Sequence, residues 1–253
     1  MTAPHTTHSS SRPFSGLFAG LLALSLALVI SAALGARALS QARRGADQVE
    51  VTGSAKRSIR ADYAVWRGTV SSQGPALPPA YQELKRFGDR VQAFLTARGL
   101  PDSSITVRTI ETTVLNETGQ DGRETGRIAG YRLSQTFEVR ATDVAAVTAL
   151  SREVSTLINE GIPLSSPPPE YLYTKLAEVR IALIEEATRD AQARAAAIAR
   201  ATGGDVGGVR EARSGVFQIT PRFSTEVSDY GSYDTSSIEK DITAVVRVTF
   251  GIN

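Results

Sequence analysis

Apolar residues gather first near the N-terminus, where residues 14–34 read FSGLFAGLLALSLALVISAAL without a single charge. As a helix rising 1.5 Å per residue this run spans roughly 30 Å, the depth of a bilayer's hydrocarbon. It is apolar on every side and follows a polar, Ser/Thr-rich leader, which suits lipid rather than a protein core. Its length favours a retained anchor, while Ala36, Arg37 and Ala38, or Ala38, Leu39 and Ser40, have the small-residue form of a signal cleavage site. Arg12 precedes the run and Arg37, Arg43 and Arg44 follow it, so flanking charge leaves the orientation open. The pattern divides the chain into a polar tail (1–13), a transmembrane or signal segment (14–36), a linker (37–47) and one domain (48–253).

Beyond the linker the hydrophobic period switches between two and 3.6 residues. Residues 49–53 alternate as a first strand. A second, 59–72, is rich in β-branched and aromatic residues and is closed by Gly74, Pro75, Pro78 and Pro79. Tyr81, Leu84, Phe87, Val91, Phe94 and Leu95 recur at helical spacing and predict a helix over 79–98, with Gly99 as its stop. Two strand candidates, 105–115 and 128–140, flank a polar loop over 116–127 and read as a β-hairpin. Asp143 is placed to cap a helix over 144–159 that Gly161 ends. Residues 162–169 hold four prolines and suit an edge strand or an extended connector. A long helix over 174–201 follows, its apolar line formed by Leu176, Val179, Leu183, Ala187, Ala191 and Ile198. Strand patterns return at 208–213, 216–219 and 242–250 around a Ser/Tyr/Asp-rich loop at 224–237. A loop of that length in a compact domain is often mobile or a contact surface. Strand and helix patterns in this mixture predict an α+β fold, with mixed or antiparallel sheets and packed helices behind the N-terminal helix.

Charge and composition narrow the function. Four of the 28 basic residues lie in the first 46, where there is no acid; the other 24 face 26 acids, so the folded part is mildly acidic. With no Lys/Arg run after Arg44, a nucleic-acid partner is not expected. Cysteine is absent, and His5 and His8 both precede the apolar run, so the domain has neither thiol nor imidazole. That removes the usual base of a serine or cysteine hydrolase.

The order of elements, with Val49, Glu50, Val51, Thr52, Gly53, Ser54 and Ala55 at the start and AQARAAAIARATGGDVGGV over 191–209, resembles the SIMPL-domain family, whose domain is of unknown function. The resemblance covers nearly all of 48–253. It implies an α+β domain facing the periplasm or cell exterior behind a signal peptide or anchor, with a role spoken of as stress-related or as protein association. It brings no agreed catalytic residues.

The remaining candidates are read from the residues alone. Ser237 and Lys240 form the one Ser-x-x-Lys spacing, without the companion motifs of penicillin-binding enzymes. Glu185 and Glu186 point about 100° apart on a helix and do not readily share a site. Asp229 with Asp234 is a second carboxylate pair. The 116–124 stretch lacks calcium-loop spacing, and the glycines over 203–208 follow a helix, the reverse of a phosphate cradle. No catalytic, cofactor or metal residue is therefore assigned, and no cofactor is expected. Phe223, Tyr230 and Tyr233 stand in the polar loop as possible partner contacts, since aromatic residues dominate interface centres. The expectation is a non-enzymatic envelope protein that associates with itself or with other envelope proteins. A small-ligand-binding domain and an enzyme using carboxylate or lysine chemistry stay open beside it.

Overall fold

A computed structural model of the chain describes residues 14–44, 48–120, 122–226 and 228–253. Helix α1 (Phe14–Arg44) precedes strands β1 (Gln48–Arg60) and β2 (Tyr63–Gly74) and helix α2 (Leu77–Thr96). Strands β3 (Ile105–Val107), β4 (Glu111–Thr118) and β5 (Glu124–Ala141) follow, then helix α3 (Val144–Glu153). Strands β6 (Leu164–Ser165) and β7 (Glu170–Leu172) lead into helix α4 (Leu176–Ala201). The order ends with β8 (Val206–Ser214), β9 (Gln218–Pro221), β10 (Ser232–Tyr233) and β11 (Glu239–Ile252). The fold is α+β.

The chain forms two compact units. Among the described residues, one draws on the chain up to Val51 with Ala193–Ala212 and Val248–Asn253, the other on Thr52–Gln192 and Arg213–Arg247. The strands make two sheets, one ordered β1-β11-β9-β10 with β8 also on β11, the other β3-β5-β2-β6 with β4 on β5 and β7 on β2.

In the second sheet, β2 alternates faces. Trp66 and Val70 of β2 and Leu133, Phe137 and Val139 of β5 turn inward onto Leu84, Val91 and Leu95 of α2 and Val147 and Leu150 of α3. The Trp66 indole N–H keeps a partner in this core by donating to Ser166 Oγ at 3.0 Å. The opposite face carries Arg67 and Thr69 of β2 beside Glu138 and Thr136 of β5, in direct cross-strand register. A second apolar cluster joins Ile59, Ile219, Ile242 and Ala244 to Val179 and Leu183 of α4. Along α4 the buried positions continue at every fourth residue as Ala187, Ala191, Ala195 and Ala199, while Ile198 is exposed. At Ala187 and Ala191 the small side chain goes with the close approach of Gly53 of β1, which lies directly on this part of the helix.

Several boundaries differ from the sequence expectation. Ile59 ends β1 rather than opening β2, and the break between them is fixed by Asp62, whose carboxylate accepts the N–H and hydroxyl of Thr174 at 2.8 Å each. The hairpin loop is much shorter than 116–127, because Asn116 pairs with Ile128 and Thr118 with Glu124 despite shifts in register. The α3 helix tightens after Glu153 into a 3₁₀ turn, Val154–Glu160, closed by left-handed Gly161 (φ 77°). Asp143 caps α3 as its position predicts, accepting the Ala146 N–H at 2.9 Å. The linker is helical as far as Arg44; residues 45–47 and the tail 1–13 lie outside the described residues.

Within α1, Gly20–Arg37 has a mean hydropathy of 1.9, and none of this stretch is buried. Leu21, Leu22, Leu24, Leu26, Leu28 and Val29 all face outward. A helix of this length and composition suits a membrane anchor or a signal sequence.

Candidate functional site: the aromatic loop and its anchors

The 222–237 loop connects β9 to β11, and three buried polar groups hold it. The first anchor is Asp241 on β11, only 2% exposed. It accepts Lys56 Nζ and Ser58 Oγ at 2.7 Å each and the Phe223 backbone N–H at 3.2 Å. Burial pushes the Asp241 carboxyl up, but these three donors outweigh it and hold the group below the ordinary aspartate value.

The second anchor is a two-way clasp. Gln218 Nε2 donates to the Ser228 carbonyl at 2.5 Å, and the Ser228 N–H donates to Gln218 Oε1 at 3.4 Å. The third is Asp234, which accepts the Ser236 N–H at 2.9 Å and hydroxyl at 2.7 Å, and the Ser237 N–H at 3.2 Å. The Ser237 hydroxyl also donates to it. Buried Lys240 completes the set, its Nζ 2.9 Å from Asp234 Oδ2 and 2.5 Å from the Asp234 carbonyl. Burial again raises the carboxyl's pKa, yet the serine and lysine donors prevail and leave Asp234 far below its usual range. Strand β10 adds a parallel pairing of Ser232 and Tyr233 with Gln218 and Ile219.

On this pinned frame the three aromatic residues named from the sequence point outward: Phe223 is 80% exposed, Tyr230 97% and Tyr233 49%. The Arg222 guanidinium lies 5.0 Å from the Phe223 ring centroid. Phe223 itself has φ 65°, in the left-handed region.

The candidate reactive pairs are engaged elsewhere. Ser237 and Lys240 do come together, but both donate to Asp234. A serine nucleophile needs a base that accepts its proton, whereas Lys240 is a donor here. Glu185 pairs with Arg189 at 3.5 Å along the helix, and Glu186 pairs with Arg57. Asp229 is exposed while Asp234 is held by Lys240. Among the described residues no group of three or more His, Cys, Asp or Glu side chains could hold a metal.

Sequence reasoning missed the burial of these polar and charged groups. Gln218, Lys240 and Asp241 flank apolar strands, and what buries them is the β9–β11 pairing, Lys240 opposite Pro221 and Asp241 opposite Thr220. Glu138 was missed too. It is 1% exposed and receives Arg67 Nε at 3.0 Å, Arg108 Nη2 at 2.6 Å and Arg140 Nε, while Arg67 also reaches Glu170 at 2.7 Å. Burial favours the neutral acid, but the Arg108 and Arg67 hydrogen bonds and the Arg140 charge hold Glu138 below the ordinary glutamate value. The only sequence hint is Glu138 standing two residues before Arg140 on a strand, on the same face.

Fold and site together define an α+β domain behind an N-terminal apolar helix, carrying an aromatic loop hydrogen-bonded to Asp241 and Gln218. The chain belongs to the SIMPL family: residues 49–250 match that family's model, described as a protein of unknown function (DUF541). A search of curated proteins gave no match.

Proposed function

We propose that this protein is held at a membrane by α1, with its SIMPL domain outside the cytoplasm, and that it works by protein association rather than by catalysing a reaction. One observation carries the reading: Ser237 and Lys240, the one Ser-x-x-Lys pair, are both committed to Asp234, and that commitment serves to display Phe223 and Tyr230 to solvent. Groups that would perform chemistry are used to build a surface. Displayed aromatic side chains are the residue types that dominate interface energetics. The stress-related role implied by the family resemblance would be exercised through such contacts.

The test uses the full chain in detergent or in native membranes. Light scattering behind size-exclusion chromatography and chemical crosslinking should reveal assemblies larger than one chain. Glu185→Gln and Glu186→Gln, which lie outside the loop, should leave them unchanged. A substrate turned over by the purified chain, with turnover abolished by Ser237→Ala in a folded protein, overturns the proposal.

A further inference from the structure

Strand β4 leaves an edge of the second sheet open. It pairs with β5 alone, and every residue from Glu111 to Thr118 except the half-buried Leu115 is exposed. On the neighbouring strand Glu124 to Ala129 are exposed as well, Ile128 among them, so this end of the ribbon has no covering layer. Two strands without a third strand or a packed helix are marginal in water.

Nothing in β4 guards that edge. Edge strands are commonly blunted by lysine, proline or a bulge, and β4 reads ETTVLNET, with neither lysine nor proline. The register shifts beside Asn116 place their extra residues in β5: Leu115 pairs with Gly130, Asn116 with Ile128 and Thr118 with Glu124. The free strand itself carries no bulge.

The pattern of charge selects a second copy and one register. A two-fold axis perpendicular to a joined sheet keeps every side chain on its own face, so an antiparallel pairing of identical strands must centre on one residue and not between two. Two centres engage nearly the whole of β4. About Val114 the pairing covers 111–117 and sets Glu111 opposite Glu117, where like charges repel and the single Arg127, 3.2 Å from Glu117, serves two carboxylates. About Leu115 it covers 112–118 and sets Glu117 opposite Thr113. Thr113 stands directly across from Arg132 of β5, which donates to Gln73 Oε1 at 3.2 Å and is in no ion pair among the described residues. Glu117 then lies between Arg127 of its own chain and Arg132 of the other copy, with only a threonine intervening. The same register sets Thr112 opposite Thr118, a favourable cross-strand pair, and brings the exposed Val114 next to Asn116 and Ile128 of the other copy.

Resting on the association reading, but on a different surface from the aromatic loop, we infer that β4 pairs antiparallel with β4 of a second copy, centred on Leu115, and joins two sheets across a two-fold axis. The chain has no cysteine, so single cysteines report the register in the full chain. Directly opposed residues lie about 4.5–5.5 Å apart at Cα, within disulfide reach, whereas Val114 and its copy are offset along the strands and fall beyond it. Under mild oxidation, in native membranes and in detergent, Leu115→Cys should form a linked dimer at least about tenfold faster than Val114→Cys or Thr113→Cys. Leu115→Lys and Leu115→Glu, with circular dichroism unchanged, should each be monomeric by light scattering, and mixing them should restore the dimer, because opposite charges then face each other. Faster linking through Val114, or a mixture that stays monomeric while the unaltered chain is dimeric, overturns the inference. Assemblies that persist in Leu115→Lys and do not link through Leu115→Cys reject β4 while sparing the association reading, as does a monomeric chain that crosslinks only to other proteins. A monomeric chain that crosslinks to no protein in native membranes removes both.

Discussion

Gly53 and Ala191 meet with no room between them for a side chain. A Cβ added to Gly53 would lie 2.4 Å from the Ala191 nitrogen and 2.1 Å from the Ala187 carbonyl oxygen. One residue on, the Ser54 backbone N–H donates to Asp190 Oδ2 at 2.8 Å. Gly53 lies in the first of the two signatures that mark the family resemblance, and Ala191 opens the second. The two signatures thus meet in space as one close approach of strand to helix. Since the obstructing atoms are helix backbone, they cannot swing aside. Gly53→Ala should cost about 1–3 kcal/mol or more, the usual range for overpacking, and lower Tm by at least about 2 °C in a chain of this size. Ser54→Ala keeps the backbone donor and should change stability by less than about 0.5 kcal/mol. Thermal denaturation of the two variants side by side checks the contrast, and an unchanged Tm for Gly53→Ala rules this packing out.

That contact explains why so much of the fold can be read from the sequence. The long helix declares itself through alanine and ends at Gly203, left-handed at φ 82°. Apolar periodicity gives α2 and β11, because each buries one face. The β4–β5 arm was cut short because its outer half is exposed on both faces, so no hydrophobic alternation marks it. It is held instead by polar cross-strand pairs such as Asn116 with Glu124 at 2.9 Å. The end of β1 depends on Asp62 finding Thr174, a partner 112 residues away that no local pattern announces. The site divides in the same way. Phe223, Tyr230 and Tyr233 are legible because serine and aspartate surround them, while Asp241 and Lys240 become anchors only once β11 lies against β9.

The Lys240–Asp234 pair can be tested as a unit. Lys240 is 1% exposed and Asp234's side chain 8%, so removing one partner strands a desolvated charge. Lys240→Met should destabilise by about 3–5 kcal/mol, the range for breaking a buried pair. Combining it with Asp234→Asn should cost less than the two single changes added together, by at least about 1 kcal/mol of coupling. Urea denaturation of the four proteins of the cycle measures this. Strict additivity shows that the two groups do not depend on each other.

Acid should loosen the domain through Glu138, Asp234 and Asp241. Each is held below its ordinary value because its donors outweigh the effect of burial. A carboxylate whose folded pKa is depressed contributes stability that is fully present above its unfolded pKa, about 4, and is lost as pH falls through the folded value. Unfolding free energy should therefore be nearly flat from pH 7 to 5 and decline steadily below about pH 4. Glu138→Gln removes one titrating group and leaves Arg67, Arg108 and Arg140 without its charge. It should lower stability at pH 7 by about 2–4 kcal/mol and make the decline below pH 4 shallower. Denaturant titrations at pH 7, 5, 4 and 3 compare the slopes, and parallel curves for the two proteins remove Glu138 from the account.

The apolar helix gives the last expectation. Leu24 and Leu28 lie within Gly20–Arg37, one turn apart, and both face outward along a stretch in which nothing is buried. Uncovered leucines over this length suit a hydrocarbon surround, and arginine near the centre of such a segment costs about 2.5–3.5 kcal/mol in membrane insertion. Leu24→Arg combined with Leu28→Arg should abolish anchoring, because neighbours on one face cannot both reach a headgroup at the midplane. The unaltered chain should sediment with membranes, resist alkaline extraction and keep its full 26.9 kDa mass with residues 14–36 intact. The double variant should appear in the soluble fraction or be degraded. If the unaltered chain is instead recovered soluble with its N-terminus beginning near Ala38 or after Ser40, the helix is a cleaved signal, and association at a membrane must rest on the domain alone.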